Sequence, residues 1–334
     1  MAPQQHHRGR SKVTLKNGLK IAAAALVFFA GQHAWAQGYP TKPIKIVVPA
    51  TTGGAIDTIA RVMADKMTAT LGQPVVIENR PGASNNLGTD IVAKSAPDGY
   101  TLVIVASSHA TNKWVFKNLP YDPVKDFEPI IYTHVVPLLL TVHPSVNAKT
   151  VPELVTWIKA NPDKAIYATS GNGSSLHMAA ELFMSMTGTK MQHVPYKGSS
   201  AAHPDLLGGR TFIIFDPITA ILPHVKAGSL RGIAVTSLKR SSGAPEIPTV
   251  AESLPGYEAA TWGGILAPAG TPKEIVAKLN AAANAALKME DVRAKLQGAG
   301  VEIQGGTPEQ FAAVIKSEVD KWEPIVKAAG IKAD

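Results

Sequence analysis

Short aliphatic runs that each end in a cluster of Gly, Ser, Thr and Asn, with an amphipathic helix to follow, constrain this chain most. "IKIVV" (44–48) runs into "PATTGG" and then into a segment where Ile56, Ile59, Ala60, Met63, Met67 and Leu71 recur at helical spacing. "PVVIE" (74–78) runs into "RPGASNNLG" and a second helix through about Ser95, and "TLVIVA" (101–106) follows the turn "PDG". Strands alternating with helices predict parallel βαβ units, because a helical crossover is what returns the chain to a parallel neighbour.

The alternation restarts after a long β-rich segment, "EPIIYTHVVPLLLTVH" (128–143). Thr150 and Glu153 predict a capping box for the next helix. Then come strand "AIYATS", a helix from about Ser174 to Met186, strand "KMQHV", a helix near 199–207 and strand "TFIIF". "PITAILPHVKAG" predicts a helix interrupted at Pro223, and "LRGIAVTS" and "TWGGILAP" predict strands. The C-terminal part is helical. Thr271 with Glu274 and Thr307 with Gln310 predict two more caps, each followed by proline. The fold class expected is α/β with two lobes, each a mostly parallel sheet flanked by helices. Crossings at 128–143 and 255–268 divide it into 37–137 with 259–334 as a discontinuous first lobe and 138–258 as the second.

Residues 1–36 read as a secretory leader. Arg8, Arg10, Lys12, Lys16 and Lys20 precede the apolar run "IAAAALVFFAG" and the A-x-A site Ala34-Trp35-Ala36, with no acidic residue among them. The run is shorter than the roughly 20 residues of a membrane span. Of the net charge of +8, those five cations carry five, leaving +3 after cleavage. That excess, without a Lys/Arg stripe interleaved with aromatics, points away from nucleic acid. The 334 residues contain no cysteine, which excludes disulfides and thiolate metal sites. A monomer in the periplasm is expected.

In an open α/β sheet, ligands sit beyond the C-terminal ends of the strands, where the Gly/Ser/Thr/Asn clusters fall. Each cluster can aim backbone N–H groups, hydroxyls and a helix N-terminus at an anion, or can simply turn and cap the chain. Enzyme motifs fail. "GNGSSL" carries Leu176 where a dinucleotide fingerprint needs its third glycine, and it lacks the nucleophile-elbow spacing. Ser174 and His177 are close enough in sequence for a secreted α/β hydrolase to be the alternative, although an orienting carboxylate would have to come from the same helix. Ten histidines include no H-x-x-x-H pair, so neither a metal nor a cofactor is expected. Asp57 reads as a helix-dipole and i,i+4 partner of Arg61. Asp216 has two readings: it orients a ligand, or it caps the helix starting near Pro217.

Eight segments resemble, in order, the extracytoplasmic receptors of tripartite tricarboxylate transporters, the Bug or TctC type. They are "IVVPATTGGAIDTIAR", "ENRPGASNNLGTDIVAKSAPDGYTL", "LPYDPVKDFEPI", "TSGNGSSLHMAAELF", "VPYKGSSAAHPDLLGGR", "LPHVKAGSLRGIAVTS", "IPTVAESLPGYEAATWGGILAPAGTP" and "DKWEPIVKAAGI". The resemblance covers the chain after the leader. It implies a two-lobe Venus-flytrap fold, a small organic acid in the cleft (a di- or tricarboxylate or an aromatic carboxylate) and membrane transporter subunits as partners. It also implies ligand contacts at Thr51, Thr52, Gly53, Ala83, Ser84, Ser107, Ser108, Ser170, Gly173, Ser174, Asp216 and Pro217. A sensor for a membrane signalling partner would use the same receptor. The second loop departs from the family pattern: "GASNN" stands where Gly-Ala-Gly-Gly is common.

Overall fold

The computed structural model describes Met1 and residues 38–53, 55–298 and 300–332. The leader reading falls outside the described residues. From Lys42 onward the chain forms one compact unit.

Three parallel strands open it: β1 (Ile44–Val48), β2 (Val75–Asn79) and β3 (Thr101–Ala106), with β1 in the middle. Helices α1 (Ala55–Leu71) and α2 (Asn86–Ala93) make the crossovers. The third cluster, "SSHATN", is not a loop. Ser108 is the first residue of helix α3 (Ser108–Val115). The sequence hides this helix because His109, Thr111 and Asn112 are polar yet buried.

Strand β4 (Phe127–Val142) runs for 16 residues, roughly 50 Å of extended chain. Its first part pairs antiparallel with β9 (Ala260–Pro268), which in turn pairs with β3. Its last part pairs antiparallel with β7 (Ile213–Pro217) and β8 (Arg231–Val235). Strands β5 (Ile166–Thr169) and β6 (Gln192–Pro195) continue parallel to β7, and the two-residue β10 (Glu302–Ile303) pairs with β4 at His134 and Val135. One sheet of order β2-β1-β3-β9-β4-β7-β5-β6 results, with β4 serving both halves. Gly263 and Gly264 of β9 allow this close pairing: a Cβ at either would overlap His134 or Phe311.

The remaining helices are α4 (Val151–Ala160), α5 (Ser175–Thr187), α6 (His203–Leu207), α7 (Ile218–Lys226), α8 (Lys273–Lys288), α9 (Glu290–Gly298) and α10 (Pro308–Ala329). Helix α10 presses Phe311, Ile315 and Val319 onto Val103, Val105, Phe127 and Trp262. It thereby closes the first half of the sheet with C-terminal residues.

Three local expectations are corrected. Helix α7 continues through Pro223, with the Ala227 N–H reaching the Pro223 carbonyl; the buried Ile218 and Ile221 hold it to the sheet. Thr271 does not cap α8. Its hydroxyl donates to the Pro268 carbonyl, and Pro272 stands at the cap. Thr150 accepts from the Glu153 N–H as expected, but the Glu153 carboxylate takes the Lys149 N–H instead of closing the box.

The Thr307–Gln310 box closes in both directions. Thr307→Ala should therefore cost about 1 kcal/mol in urea unfolding, whereas Thr271→Ala should remove no cap from α8, which has no side-chain cap to lose.

Candidate functional site

The first loop is fixed by one buried carboxylate. Asp57 Oδ2 accepts from the Gly53 N–H and from Arg61 Nε, both at 2.9 Å. Its Oδ1 accepts from Asn79 Nδ2, which also donates to the Ala50 carbonyl at 3.0 Å. The hydrogen bond from Arg61 outweighs burial and pulls the Asp57 pKa down to about 2. The expected ion pair with Arg61 thus ties the end of β2 to the first loop. Thr51, Thr52 and Gly53 are exposed. Thr52 and Gly53 also line a concavity of about 550 Å³ between α1 and α9, walled by Arg61, Lys66 and Asp291.

The second loop is strained. Ala83, Ser84 and Asn85 have φ of 47°, 51° and 76°. L-residues pay roughly 1–2 kcal/mol for that region, and asparagine pays least. Buried side chains hold the loop there. Asn112 Nδ2 donates to the Ser84 carbonyl at 2.9 Å and to Asn86 Oδ1 at 2.7 Å. The Tyr121 hydroxyl, also buried, donates to the same Asn86 oxygen at 2.7 Å. Asn85 Nδ2 then donates to Ser108 Oγ at 3.0 Å, joining the second loop to the start of α3. Ser107 is buried, 3.4 Å from the Thr261 hydroxyl of β9.

The loop after β5 rests on a titratable cluster. The His177 and His193 rings stack with centroids 4.0 Å apart, and Tyr167 stacks on His193. His177 Nδ1 accepts from the Gly173 N–H at 3.1 Å, which leaves the proton on Nε2, 3.3 Å from Glu181 Oε1. Tyr167 donates to the same Glu181 oxygen at 2.8 Å. Thr169 Oγ1 lies 2.6 Å from His193 Nε2 and accepts from the Gly171 N–H. Burial, then the neighbouring His177, push the His193 pKa down to about 4.

Ser174 is the N-cap of α5, and its Oγ accepts from the His177 N–H at 3.3 Å. This overturns the hydrolase alternative. The His177 nitrogen that a serine would need is occupied by a backbone donor, and the Ser174 hydroxyl is turned to its own helix.

Asp216, at the end of β7, is fully buried. Its Oδ2 pairs with His203 Nε2 at 2.7 Å, while its Oδ1 has no partner. It does not cap α7, where Pro217 holds the cap position without a side-chain bond. β5 runs parallel to β7 with Tyr167 opposite Ile213 and Ala168 opposite Ile214, so the loop after β5 and the end of β7 lie at the same end of the sheet.

These contacts form a chain across the C-terminal ends of the strands. The first loop meets the end of β2 through Asn79. The second loop meets α3 through Ser108. Across the sheet, the Thr111 hydroxyl donates to the Gly173 carbonyl at 3.4 Å. Sequence reasoning missed the groups that hold the loops, namely Asn79, Asn86, Thr111, Asn112, Tyr121 and His203. Their only signal is a polar residue at a position where helical or strand spacing calls for burial. The assembled surface offers hydroxyls with one orphaned carboxylate oxygen, which suits hydrogen-bonded capture of a small polar molecule.

Two outcomes test this geometry. Ser84→Gly should raise stability by about 0.5–1 kcal/mol, since relief of the left-handed strain exceeds the entropic cost of glycine. Asp57 has its pKa lowered on folding, so its contribution is complete above about pH 4 and is lost as pH falls through about 2. Asp57→Asn should cost about 1–2 kcal/mol at pH 7, and the gap from wild type should close in unfolding curves taken toward pH 2.

The model of the tripartite tricarboxylate transporter family receptor, TctC, matches residues 59–331. Protein BugT of Bordetella pertussis is 37% identical over 300 residues, covering 89% of this chain and 92% of its own. Among solved structures, Rpa4515 of R. palustris with adipate is 40% identical with a TM-score of 0.78, over 88% of this chain and 100% of that one. MatC from Rhodopseudomonas palustris with bound malate is 33% identical with a TM-score of 0.74, over 86% of this chain and 100% of that one. The sheet shared by two halves, the loops gathered at its strand ends and these matches agree: the chain belongs to the receptor family of the tripartite tricarboxylate transporters, whose members are two-lobe solute-binding proteins.

Proposed function

We propose that this receptor captures a small organic carboxylate between its two lobes in the periplasm, binds it without converting it, and hands it to the membrane subunits of its transporter. The observation that carries the ligand class is the loop chain described above. It gathers the hydroxyls of Thr51, Thr52, Ser84, Ser108 and Ser170, with the guanidinium of Arg61 already engaged by Asp57 and Asn79, beside a buried acceptor at Asp216. Such a site takes a carboxylate by hydrogen bonds to its oxygens, and Asp216 Oδ1 accepts a hydrogen bond from a bridging water or a ligand hydroxyl. That relatives in the family bind adipate and malate supports the same class.

Thr51, Thr52, Gly53, Ala83, Ser84, Ser107, Ser108, Ser170, Gly173, Ser174, Asp216 and Pro217 are the proposed ligand shell. Within it, Ser174 acts through its cap. The lobes are 37–137 with 259–334, and 138–258, hinging on β4 and on the return into β9. The basic, then apolar start of the chain supports export with cleavage after Ala36. Among the described residues, no helix is long and apolar enough to cross a membrane.

A thermal-shift screen over adipate, malate, citrate and benzoate tests the ligand class. A hit at a hundredfold its Kd should add about 2.7 kcal/mol. If amino acids or sugars shift the protein and no carboxylate does, the class is wrong. Against the best acid, Ser170→Ala should weaken binding by about 0.5–1.5 kcal/mol. Ser174→Ala should lower stability by about 1 kcal/mol. Mass spectrometry of exported protein should give Gln37 as the first residue.

A further inference from the structure

The loop after β5 and the helix after β3 belong to opposite halves of the sheet, yet they touch at one residue. Gly173 is buried, and a Cβ built on it would lie 2.9 Å and 3.1 Å from the two γ-carbons of Val115, the last residue of α3. The same residue is held from both sides. Its N–H donates to His177 Nδ1 in its own half. Its carbonyl accepts from Thr111, one turn before Val115 in the other half. Thr111 and Val115 are themselves buried, which fixes the face that Gly173 meets.

We propose that Gly173, seated on Val115 with its carbonyl taken by Thr111, is the stop that sets how far the two halves close on each other. The inference rests on the two-lobe receptor reading and deepens it. The two sets of ligand loops can approach only as far as the Gly173 Cα lets α3 come. With no side chain there, the loop after β5 comes into direct contact with α3 at Thr111 and Val115. A single methyl at 173 acts as a spacer between the lobes, because packed interfaces cannot absorb a carbon at 2.9 Å without one side moving. Gly173 also has a φ of 71°, so the glycine answers two demands at once. One is local to the loop and the other lies across the cleft, and the test must separate them.

The lack of cysteine lets a pair of spin labels be placed cleanly, one in each half, at the exposed Ala69 (Ala69→Cys) and Ala227 (Ala227→Cys). Inter-label distances are measured by pulsed spin resonance, without ligand and with adipate. Gly173→Ala should lower the short-distance population about tenfold. Adding Val115→Ala, which removes both γ-carbons facing the new methyl, should restore it. Val115→Ile, which leaves the φ at 173 untouched, should lengthen the distances in the same sense, and serves if Gly173→Ala does not fold. Distances in Gly173→Ala and Val115→Ile that match wild type overturn the proposal. So does a Gly173→Ala defect that Val115→Ala leaves in place, since local strain would then be its cause. Adipate that moves no distance in any variant bears on the ligand class alone, and the ligand-free comparison still decides the stop.

Discussion

One strand belongs to both halves of this molecule, and everything else is arranged around it. The backbone of β4 spends its hydrogen bonds on β9 along its first part and on β7 and β8 along its last. Pro129 and Pro137 withhold two N–H groups from the ladder, and the register shifts near Ile131, His134 and Thr141, so β4 keeps its pairing through several irregularities. The two halves of the sheet therefore share one central strand, with β9 returning alongside it. Two close-packed glycines in β9 let that return lie flat against β4. Helix α10 then seals the first half with residues from the far end of the chain, so the half is complete only when the whole sequence has been used.

On this frame the loops are held rather than left free. Each has its own buried polar lock: Asp57 for the first, Asn86 with Asn112 and Tyr121 for the second, and His177 with Glu181 for the loop after β5. Each lock satisfies backbone groups that would otherwise be unpaired, at a net gain of about 1 kcal/mol per bond. Removing one partner costs more, since the other is left buried without a match. The second loop shows what the locks achieve: they hold three consecutive left-handed residues where glycine would rest without strain.

Much of the fold was legible in the sequence because it follows from period. The alternation of aliphatic runs and 3.6-residue patterns foretold β1 to β9 and most of the helices, and the Thr307–Gln310 spacing foretold a closed capping box. The misses share one cause. Helix α3, the continuation of α7 through Pro223 and the uncapped start of α8 all depend on what lies alongside. His109 is buried against Tyr121 and Phe127, Thr111 against Gly173, and Asn112 against Asn86 and the second loop, which hides the polar face of α3. The apolar face of α7 outweighs one lost backbone bond. The Thr271 hydroxyl finds a nearer carbonyl at Pro268.

The sequence by itself therefore determined the element types, the doubled α/β plan and the positions of the small polar clusters at strand ends, since all three are written in residue spacing. Tertiary structure alone decided which clusters meet. That Asn85 reaches Ser108, that β5 lies beside β7, and that Gly173 of one half sits on Val115 of the other depend on strand order and register. Those contacts join residues tens of positions apart, and no local periodicity encodes a distance through space.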